Sequence, residues 1–232
     1  MNKIPKLFHW HTSSSPPSLS AKDLHLWKIP SGPDGGQVGT QWPLLSASER
    51  ERADRLRLPR HRGRYIRAHA DLRRILGLYL KIDPIQIDFE HGIAGKPMLL
   101  GAQSAVEFNL TTSGDLALVA VSLGYPVGVD CEQIREQRDV AAISRRMFDP
   151  EEAERIAAAP VAEQPARFFR SWTALEAGVK ADGRGLARRK EEPGIGRLQI
   201  AHCVPETGFL AAVARESLPP VADWVTLQLD AD

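Results

Sequence analysis

Two acidic residues two positions apart are the first feature of this sequence that could do chemistry. Asp130 and Glu132 end the apolar run VGVDCE at residues 127–132. On a β-strand, side chains two positions apart project from the same face, so the two carboxylates would lie side by side and repel each other. Mg²⁺ relieves such repulsion and prefers one or two carboxylates together with phosphate oxygens and water. The alternative is a strand end with two solvated acids, and the spacing alone does not exclude it.

A second segment, residues 168–180 (FFRSWTALEAGVK), has the periodicity of an amphipathic helix. Glu176 and Lys180 lie one helical turn apart, in the order that favours an ion pair. Considered alone, this pair is more simply explained as a surface ion pair worth about 0.3–0.5 kcal/mol. The neighbouring apolar stripe consists of Phe168, Trp172, Leu175 and Val179.

Helix and strand signals around these two segments predict an α+β fold rather than alternating β–α–β units. Ser46 and Glu49 predict a capping box, Pro59 is expected to end the helix that follows, and Asp149-Pro150 predicts another helix start. Longer helices are expected over about 62–80 and 163–181. Strands are expected near residues 23–29, 85–90, 107–110, 116–122, 127–131, 197–203, 208–214 and 224–229.

Together, the two segments resemble the Sfp-type 4′-phosphopantetheinyl transferases. That family has (V/I)G(V/I)D(I/V)E, then WxxKEAxxK and a GxGL tail, and this chain has VGVDCE, WTALEAGVK and GRGL in the same order. Upstream, Gly95-Lys96-Pro97 matches the family's GKP turn, and FNLTTSGD at 108–115 stands where the family has FNxSHSGD. An arginine-rich segment from Ser48 to Arg73 resembles the family's first helices. The resemblance covers residues 45–186.

The resemblance implies two similar α+β subdomains, residues 1–124 and 125–232, packed as an intramolecular pseudo-dimer with the site between them. It implies transfer of the phosphopantetheine arm of coenzyme A to a serine of an acyl, peptidyl or aryl carrier protein, with release of 3′,5′-ADP. Mg²⁺, or Mn²⁺ in its place, would be the cofactor. The metal would be held by Asp130, Glu132 and Glu176, and Asp130, Glu176 and Lys180 would be catalytic. Coenzyme A would be bound by Arg52, Arg64, Lys96, Pro97, Thr111, Thr112, Asp130 and Lys180.

The chain departs from the family pattern at two positions. Thr112 replaces the histidine of SHS, and a threonine can donate a hydrogen bond to a phosphate but cannot carry charge. Leu175 replaces the first lysine of WxxKEAxxK and extends the apolar stripe. These departures leave open a catalytically weak relative that binds coenzyme A or a carrier protein. An unrelated Mg²⁺-dependent phosphohydrolase is a third hypothesis, although such sites usually need more carboxylates.

The sequence predicts a soluble, cytoplasmic protein, because its start has no apolar core of a signal peptide and its longest apolar stretch, about 116–129, is too short and interrupted to span a bilayer. Of the 232 residues, 43% are hydrophobic and 25% are charged, which is typical of a globular chain, and the net charge of +1 gives no reason to expect nucleic acid or membrane as a partner. Two isolated cysteines weakly indicate a reducing compartment. The family resemblance implies a monomer, because internal duplication would replace subunit pairing. A basic run suits an acidic carrier protein, although a solvated loop explains it equally well: Arg184, Arg188, Arg189 and Lys190.

Overall fold

The computed structural model describes residues 7–32, 38–135, 139–183, 185 and 198–230, so the basic run at 184–190 lies outside the described residues. The helices are α1 (Val38–Gln41), α2 (Ala47–Asp54), α3 (Pro59–Leu80), α4 (Val140–Met147), α5 (Pro150–Ala157) and α6 (Gln164–Asp182). The strands are β1 (His11–Ser13), β2 (His25–Pro30), β3 (Phe89–His91), β4 (Pro97–Leu99), β5 (Val106–Ser113), β6 (Leu116–Leu123), β7 (Val127–Gln133), β8 (Gln199–Cys203), β9 (Phe209–Arg215) and β10 (Val225–Leu229). In this part of the chain, no helix is long and apolar enough to cross a membrane.

The larger sheet has the strand order β1-β10-β2-β6-β5. Its strands β2, β6 and β5 are antiparallel neighbours, whereas β10 runs parallel to both β1 and β2. Nearly all of β6 is buried, and its side chains alternate between two cores. Val119 contributes to the core beneath α3, and its neighbour Leu118 contributes to the core shared with the second sheet. β6 therefore lies between two layers, which explains its continuous apolar sequence.

The second sheet has the order β7-β9-β8, with antiparallel neighbours throughout. One face of this sheet, which includes Val129 and Val213, packs against Leu118 of the larger sheet. The opposite face presents alanines of β9 to alanines of α6. The second sheet is thus sandwiched between the larger sheet and α6.

The two halves of the chain share one order of elements. In the first half a strand (β2) precedes a long helix (α3) and an antiparallel strand pair (β5, β6), and in the second half β7 precedes α6 and the pair β8, β9. The last strand of each set is central, giving β2-β6-β5 and β7-β9-β8. The α+β class is confirmed. The pseudo-dimer and the division at residue 124 stay predictions, and β10, from the end of the chain, lies in the larger sheet.

Local sequence signals account for the starts of α2, α3 and α5. The capping box of Ser46 and Glu49 is confirmed, and Pro150 occupies the first turn of α5 as predicted. The prediction for Pro59 was wrong, because α2 already ends at Asp54 and Pro59 begins α3, where its fixed φ and missing N–H fit the first turn. The strand predicted over 85–90 is also largely wrong. Asp83 caps a short 3-10 turn there, and only Phe89 to His91 is extended.

Candidate active site

The site depends on an unusually close approach of helix α6 to strand β7. A Cβ atom placed on Gly128 would lie 2.0 Å from the carbonyl oxygen of Ala177 and 2.4 Å from the backbone nitrogen of Ala181. No side chain fits there without displacing helix backbone. Glycine on the strand and alanines on the helix therefore let α6 lie directly on β7, which brings Glu176 and Lys180 towards Asp130.

Asp130 lies at the centre of this contact and is only 4% exposed. Its Oδ1 atom is 2.6 Å from the Nζ atom of Lys180 and also accepts a hydrogen bond from the Thr111 hydroxyl at 3.1 Å. Lys180 further donates to the hydroxyl of Thr111 and to the carbonyl of Val129, both at 3.4 Å. The other carboxylate oxygen, Oδ2, is buried and has no hydrogen-bond partner among the described residues.

Glu132 projects from the same face of β7 as Asp130, as the strand alternation predicted. The Ser113 hydroxyl donates to its Oε2 atom at 2.8 Å. Glu176 is half-buried on α6, one turn before Lys180. We call Asp130, Glu132 and Glu176 the acidic cluster.

Burial and neighbouring acids disfavour the negative charges of Asp130 and Glu176. Burial is the main cause that raises the pKa of Asp130 to about 6, and the charges of Glu176 and Glu132 add to this effect while Lys180 opposes it. Burial likewise raises the pKa of Glu176, with Lys180 lowering it and Glu132 raising it. One lysine thus compensates only part of the charge of three neighbouring acids. An additional cation would be favoured here.

The residues present fit a divalent cation, although they do not form a finished metal cage. No group of three or more His, Cys, Asp and Glu side chains in the described residues has the arrangement of a metal site. The orphaned Oδ2 of Asp130 is the observation in favour, because a buried carboxylate oxygen without a partner is costly and a cation would satisfy it. Carboxylate oxygens are also the ligands that Mg²⁺ prefers. The shared metal site of the acidic cluster stays a prediction.

Lys96 links the two halves beside this site. Its ammonium donates to the carbonyl of Val127 at 3.0 Å. Burial lowers the pKa of Lys96, and the nearby charges of Glu107 and Asp182 act in the opposite direction. Pro97 follows Lys96 and begins β4. The GKP turn therefore lies near the start of β7 and the end of α6.

The remaining residues predicted to bind coenzyme A lie apart from the acidic cluster. Arg52 is exposed on α2, and Arg64 forms an ion pair of 2.6 Å with Asp115. Thr112 is exposed and projects from the opposite face of β5 to Thr111. Within the described residues, no hydrogen bond or ion pair joins these three residues to the acidic cluster.

Leu175 does not point into the acidic cluster. It lines a cavity of about 900 Å³ between α5, α6 and the edge strand β8, together with Phe148, Ala174 and Ile200. The leucine that stands in place of the family's first lysine therefore changes the lining of this cavity rather than the acidic cluster.

Sequence reasoning assigned no role to Ser113, Asn109 or Gly128, although all three lie in quoted motifs. Asn109 lies two residues before Thr111 and Ser113 two residues after it, so strand alternation could have placed them on the same face. Asn109 accepts a hydrogen bond from the Val129 N–H at 2.9 Å. No sequence signal could have revealed how close the helix comes to Gly128, because that contact joins segments about 50 residues apart.

Comparisons with known proteins agree with this arrangement. A model of the 4′-phosphopantetheinyl transferase superfamily matches residues 126–212, which include β7 and α6. The 4′-phosphopantetheinyl transferase HetI of Nostoc sp. is 36% identical over 217 residues, covering 86% of this chain and 91% of HetI. The 4′-phosphopantetheinyl transferase psf-1 of Bacillus pumilus is 31% identical, covering 74% of this chain and 76% of psf-1. Sfp of Bacillus subtilis is 25% identical over 62% of each chain.

The similarity to HetI extends along nearly the whole length of both chains. It agrees with the acidic strand β7 and with the helix α6 that lies on it. The chain therefore belongs to the 4′-phosphopantetheinyl transferase superfamily.

Proposed function

We propose that the protein transfers 4′-phosphopantetheine from coenzyme A to a serine of a carrier protein and releases 3′,5′-ADP. The observation that carries the proposal is the buried Asp130. One of its carboxylate oxygens faces Lys180, and the other has no hydrogen-bond partner among the described residues. The charges of Glu132 and Glu176 act on the same carboxyl group. Membership of the superfamily and the names of the relatives support the same reaction.

We assign the metal role to the acidic cluster, with Mg²⁺ as the ion and Mn²⁺ as its substitute. Asp130, Glu132 and Glu176 would be the protein ligands, because their carboxylates repel one another and Oδ2 of Asp130 needs a partner. When bound, the ion supplies charge neutralisation at the diphosphate of coenzyme A.

The reaction requires an acceptor for one proton and a cation for the leaving group. The carrier serine oxygen attacks the β-phosphorus, and the bond from that phosphorus to the oxygen of the adenosine-side phosphate breaks, so 3′,5′-ADP leaves. We propose that Glu176 orients or deprotonates the serine, because its half-buried carboxylate lies on α6 one turn before Lys180. Lys180 is held at Asp130 and Thr111, where its ammonium would stabilise negative charge on the leaving phosphate.

The nucleotide end of coenzyme A would be bound by the basic residues of the first half. Arg52 and Arg64 can each contact a phosphate in the bidentate manner that guanidinium groups favour, and Arg64 would exchange Asp115 for phosphate. Lys96 and Pro97 would line the same end of the site. The exposed Thr112 would donate its hydroxyl to a phosphate. Thr111, on the opposite face of β5, would do so only by giving up its hydrogen bond to Asp130.

Incubation with Mg²⁺, coenzyme A and an apo carrier protein tests this function when the carrier is weighed afterwards. A mass gain of one phosphopantetheine supports transfer. Binding of coenzyme A or carrier without a mass gain would instead support a weak, non-catalytic relative, as the changes at Thr112 and Leu175 first suggested. Cleavage of coenzyme A without carrier would support a hydrolase. We further infer a cytoplasmic monomer acting on an acidic carrier domain.

A further inference from the structure

Strand β5 presents a row of polar side chains to the free edge of β7. The side chains of Asn109, Thr111 and Ser113 alternate along β5 and therefore share one face, and we call them the polar ladder. β7 pairs with β9 on its other side, so its outer backbone groups face β5. The ladder thus joins the edges of two sheets through side chains rather than through backbone pairing.

Each member of the polar ladder has a defined partner on β7. The Asn109 side-chain oxygen accepts from the N–H of Val129 at 2.9 Å, and the Thr111 hydroxyl donates to Asp130 at 3.1 Å. Ser113 makes two contacts. It donates to Oε2 of Glu132 at 2.8 Å and accepts from the N–H of Gln133 at 3.1 Å. Within the polar ladder, Asn109 bonds to the backbone of β7, whereas the hydroxyls of Thr111 and Ser113 donate to carboxylates of the acidic cluster.

The hydrogen of the Ser113 hydroxyl has one direction in which to point. A serine hydroxyl has a single donor hydrogen and two acceptor lone pairs. The Gln133 N–H occupies a lone pair, so the donor hydrogen is left for the Glu132 carboxylate. A charge-assisted bond of this kind is stronger than one between neutral groups. The contact therefore fixes the position of one oxygen of a side chain that is otherwise long and half-exposed.

We propose that Ser113 is a positioning residue, which holds the Glu132 carboxylate in the orientation needed to bind the divalent cation. Thr111 does the same for Asp130. This inference rests on the proposed metal role of the acidic cluster. Groups that hydrogen-bond metal ligands orient them, and losing one typically weakens metal binding about 10- to 100-fold.

The test measures the affinity for Mn²⁺ by electron paramagnetic resonance, in protein saturated with coenzyme A and without carrier, so that no turnover occurs. Ser113→Ala is expected to weaken Mn²⁺ binding about tenfold or more. Ser113→Thr keeps the hydroxyl and suits a strand, so it is expected to retain affinity close to that of the wild type. Ser171→Ala is the matched control, because it removes a serine-to-carboxylate hydrogen bond, to Glu152, away from the acidic cluster.

Thermal unfolding of every variant separates positioning from folding. If Ser113→Ala does not fold, Ser113→Cys replaces it, since a thiol is similar in shape and a much weaker donor, and it should bind Mn²⁺ more weakly than Ser113→Thr. Wild-type affinity in a folded Ser113→Ala or Ser113→Cys protein would overturn the proposal. So would equal losses in Ser113→Thr and Ser113→Ala, or a wild type that binds no Mn²⁺. The proposed function is judged separately, by whether wild-type protein adds mass to the carrier.

Discussion

Asp130 has a charge that its surroundings disfavour unless cations are present. The carboxylate is buried, its pKa is raised to about 6 mainly by that burial, and Lys180 neutralises only one of its oxygens. Such an arrangement is poor for stability, because an apolar residue would be cheaper to bury. Perturbed acids of this kind cluster at functional sites, which is why the geometry favours catalysis over the interpretation as two solvated acids.

Asp130→Asn tests this interpretation by replacing one carboxylate with an uncharged amide. The amide keeps the size of the side chain and can still accept from Thr111, but it removes the negative charge. We expect the rate of phosphopantetheine transfer to fall about 100-fold or more, as when one preorganised charge is lost from an active site. Initial rates with coenzyme A and apo carrier are the measurement. Asp88→Asn, at an exposed acid, should leave the rate unchanged, and a near wild-type rate in Asp130→Asn would refute the metal assignment.

A second buried acid, Glu49, is structural. Its carboxylate accepts a hydrogen bond from Nε of Arg73 at 2.7 Å. It also accepts one from the backbone N–H of Ser46, which completes the capping box of α2. Burial alone would raise its pKa, but hydrogen bonds from His69 and the Ser46 backbone and the charge of Arg73 outweigh this and lower the pKa from 4.5 to about 2. The carboxylate therefore stabilises the fold above about pH 4.5, and the contribution is lost as the pH falls towards 2.

Glu49→Gln should consequently cost more stability at neutral than at acidic pH. From the lowered pKa, the linked contribution at pH 7 is roughly 3 kcal/mol, and it falls by about 1 kcal/mol by pH 3.5. Denaturant unfolding of wild type and variant at both pH values measures this. Glu90→Gln, at an exposed acid, serves as the control. A stability difference that is the same at pH 7 and pH 3.5 would show that the charge of Glu49 is not what stabilises the α2–α3 contact.

At the scale of secondary-structure elements, the site depends on the close packing of α6 on β7. Ala177 and Ala181 of the helix pack against Ala212 and Ala214 of β9, and Gly128 leaves room for the helix backbone. Small residues on both elements thus set a short distance between helix and sheet. Larger side chains would move Glu176 and Lys180 away from Asp130 without changing any functional group.

Gly128→Ala should therefore impair transfer although it removes no catalytic group. Overpacking typically costs about 1–3 kcal/mol, and here the added methyl would meet backbone at 2.0 Å, so the upper end is expected. The rate of transfer and the free energy of unfolding, measured with denaturant, should both decrease. Gly178→Ala, on helix α6, is a matched glycine-to-alanine control, because its methyl would meet only Ile200 at 4.0 Å and alanine favours helix by about 1 kcal/mol. Equal effects of the two substitutions would contradict this account.

Strand and helix periodicity predicted which side chains share an element but not which elements meet. The alternation of β7 correctly placed Asp130 and Glu132 on one face, and helical spacing placed Glu176 one turn before Lys180. The approach of α6 to β7 and the contact of Ser113 with Glu132 depend on packing between distant segments, which periodicity does not encode. The family resemblance supplied the expectation that these segments come together.

At the scale of the whole molecule, the two halves are bound by more than the active site. The core between the sheets combines residues of both, such as Leu118 and Val129. The C-terminal strand β10 lies between β1 and β2 and is parallel to both. The sequence predicted a strand at 224–229 but could not indicate its partners, because parallel pairing joins residues about 200 positions apart.

Separating the chain at residue 124 tests whether either half folds alone. The fragment 1–124 lacks β10, so β1 loses its neighbour in the sheet and β2 becomes an edge. The fragment 125–232 leaves one face of the β7-β9-β8 sheet uncovered. Each fragment exposes apolar surface that the other covers in the intact protein. We therefore expect no cooperative thermal unfolding of either fragment alone, and recovery of a cooperative transition, with transfer activity, when both are co-expressed. Full-length protein measured in parallel gives the reference transition. A fragment 1–124 that unfolds cooperatively by itself would mean that β10 and the shared core are dispensable, and that the first half is an autonomous domain.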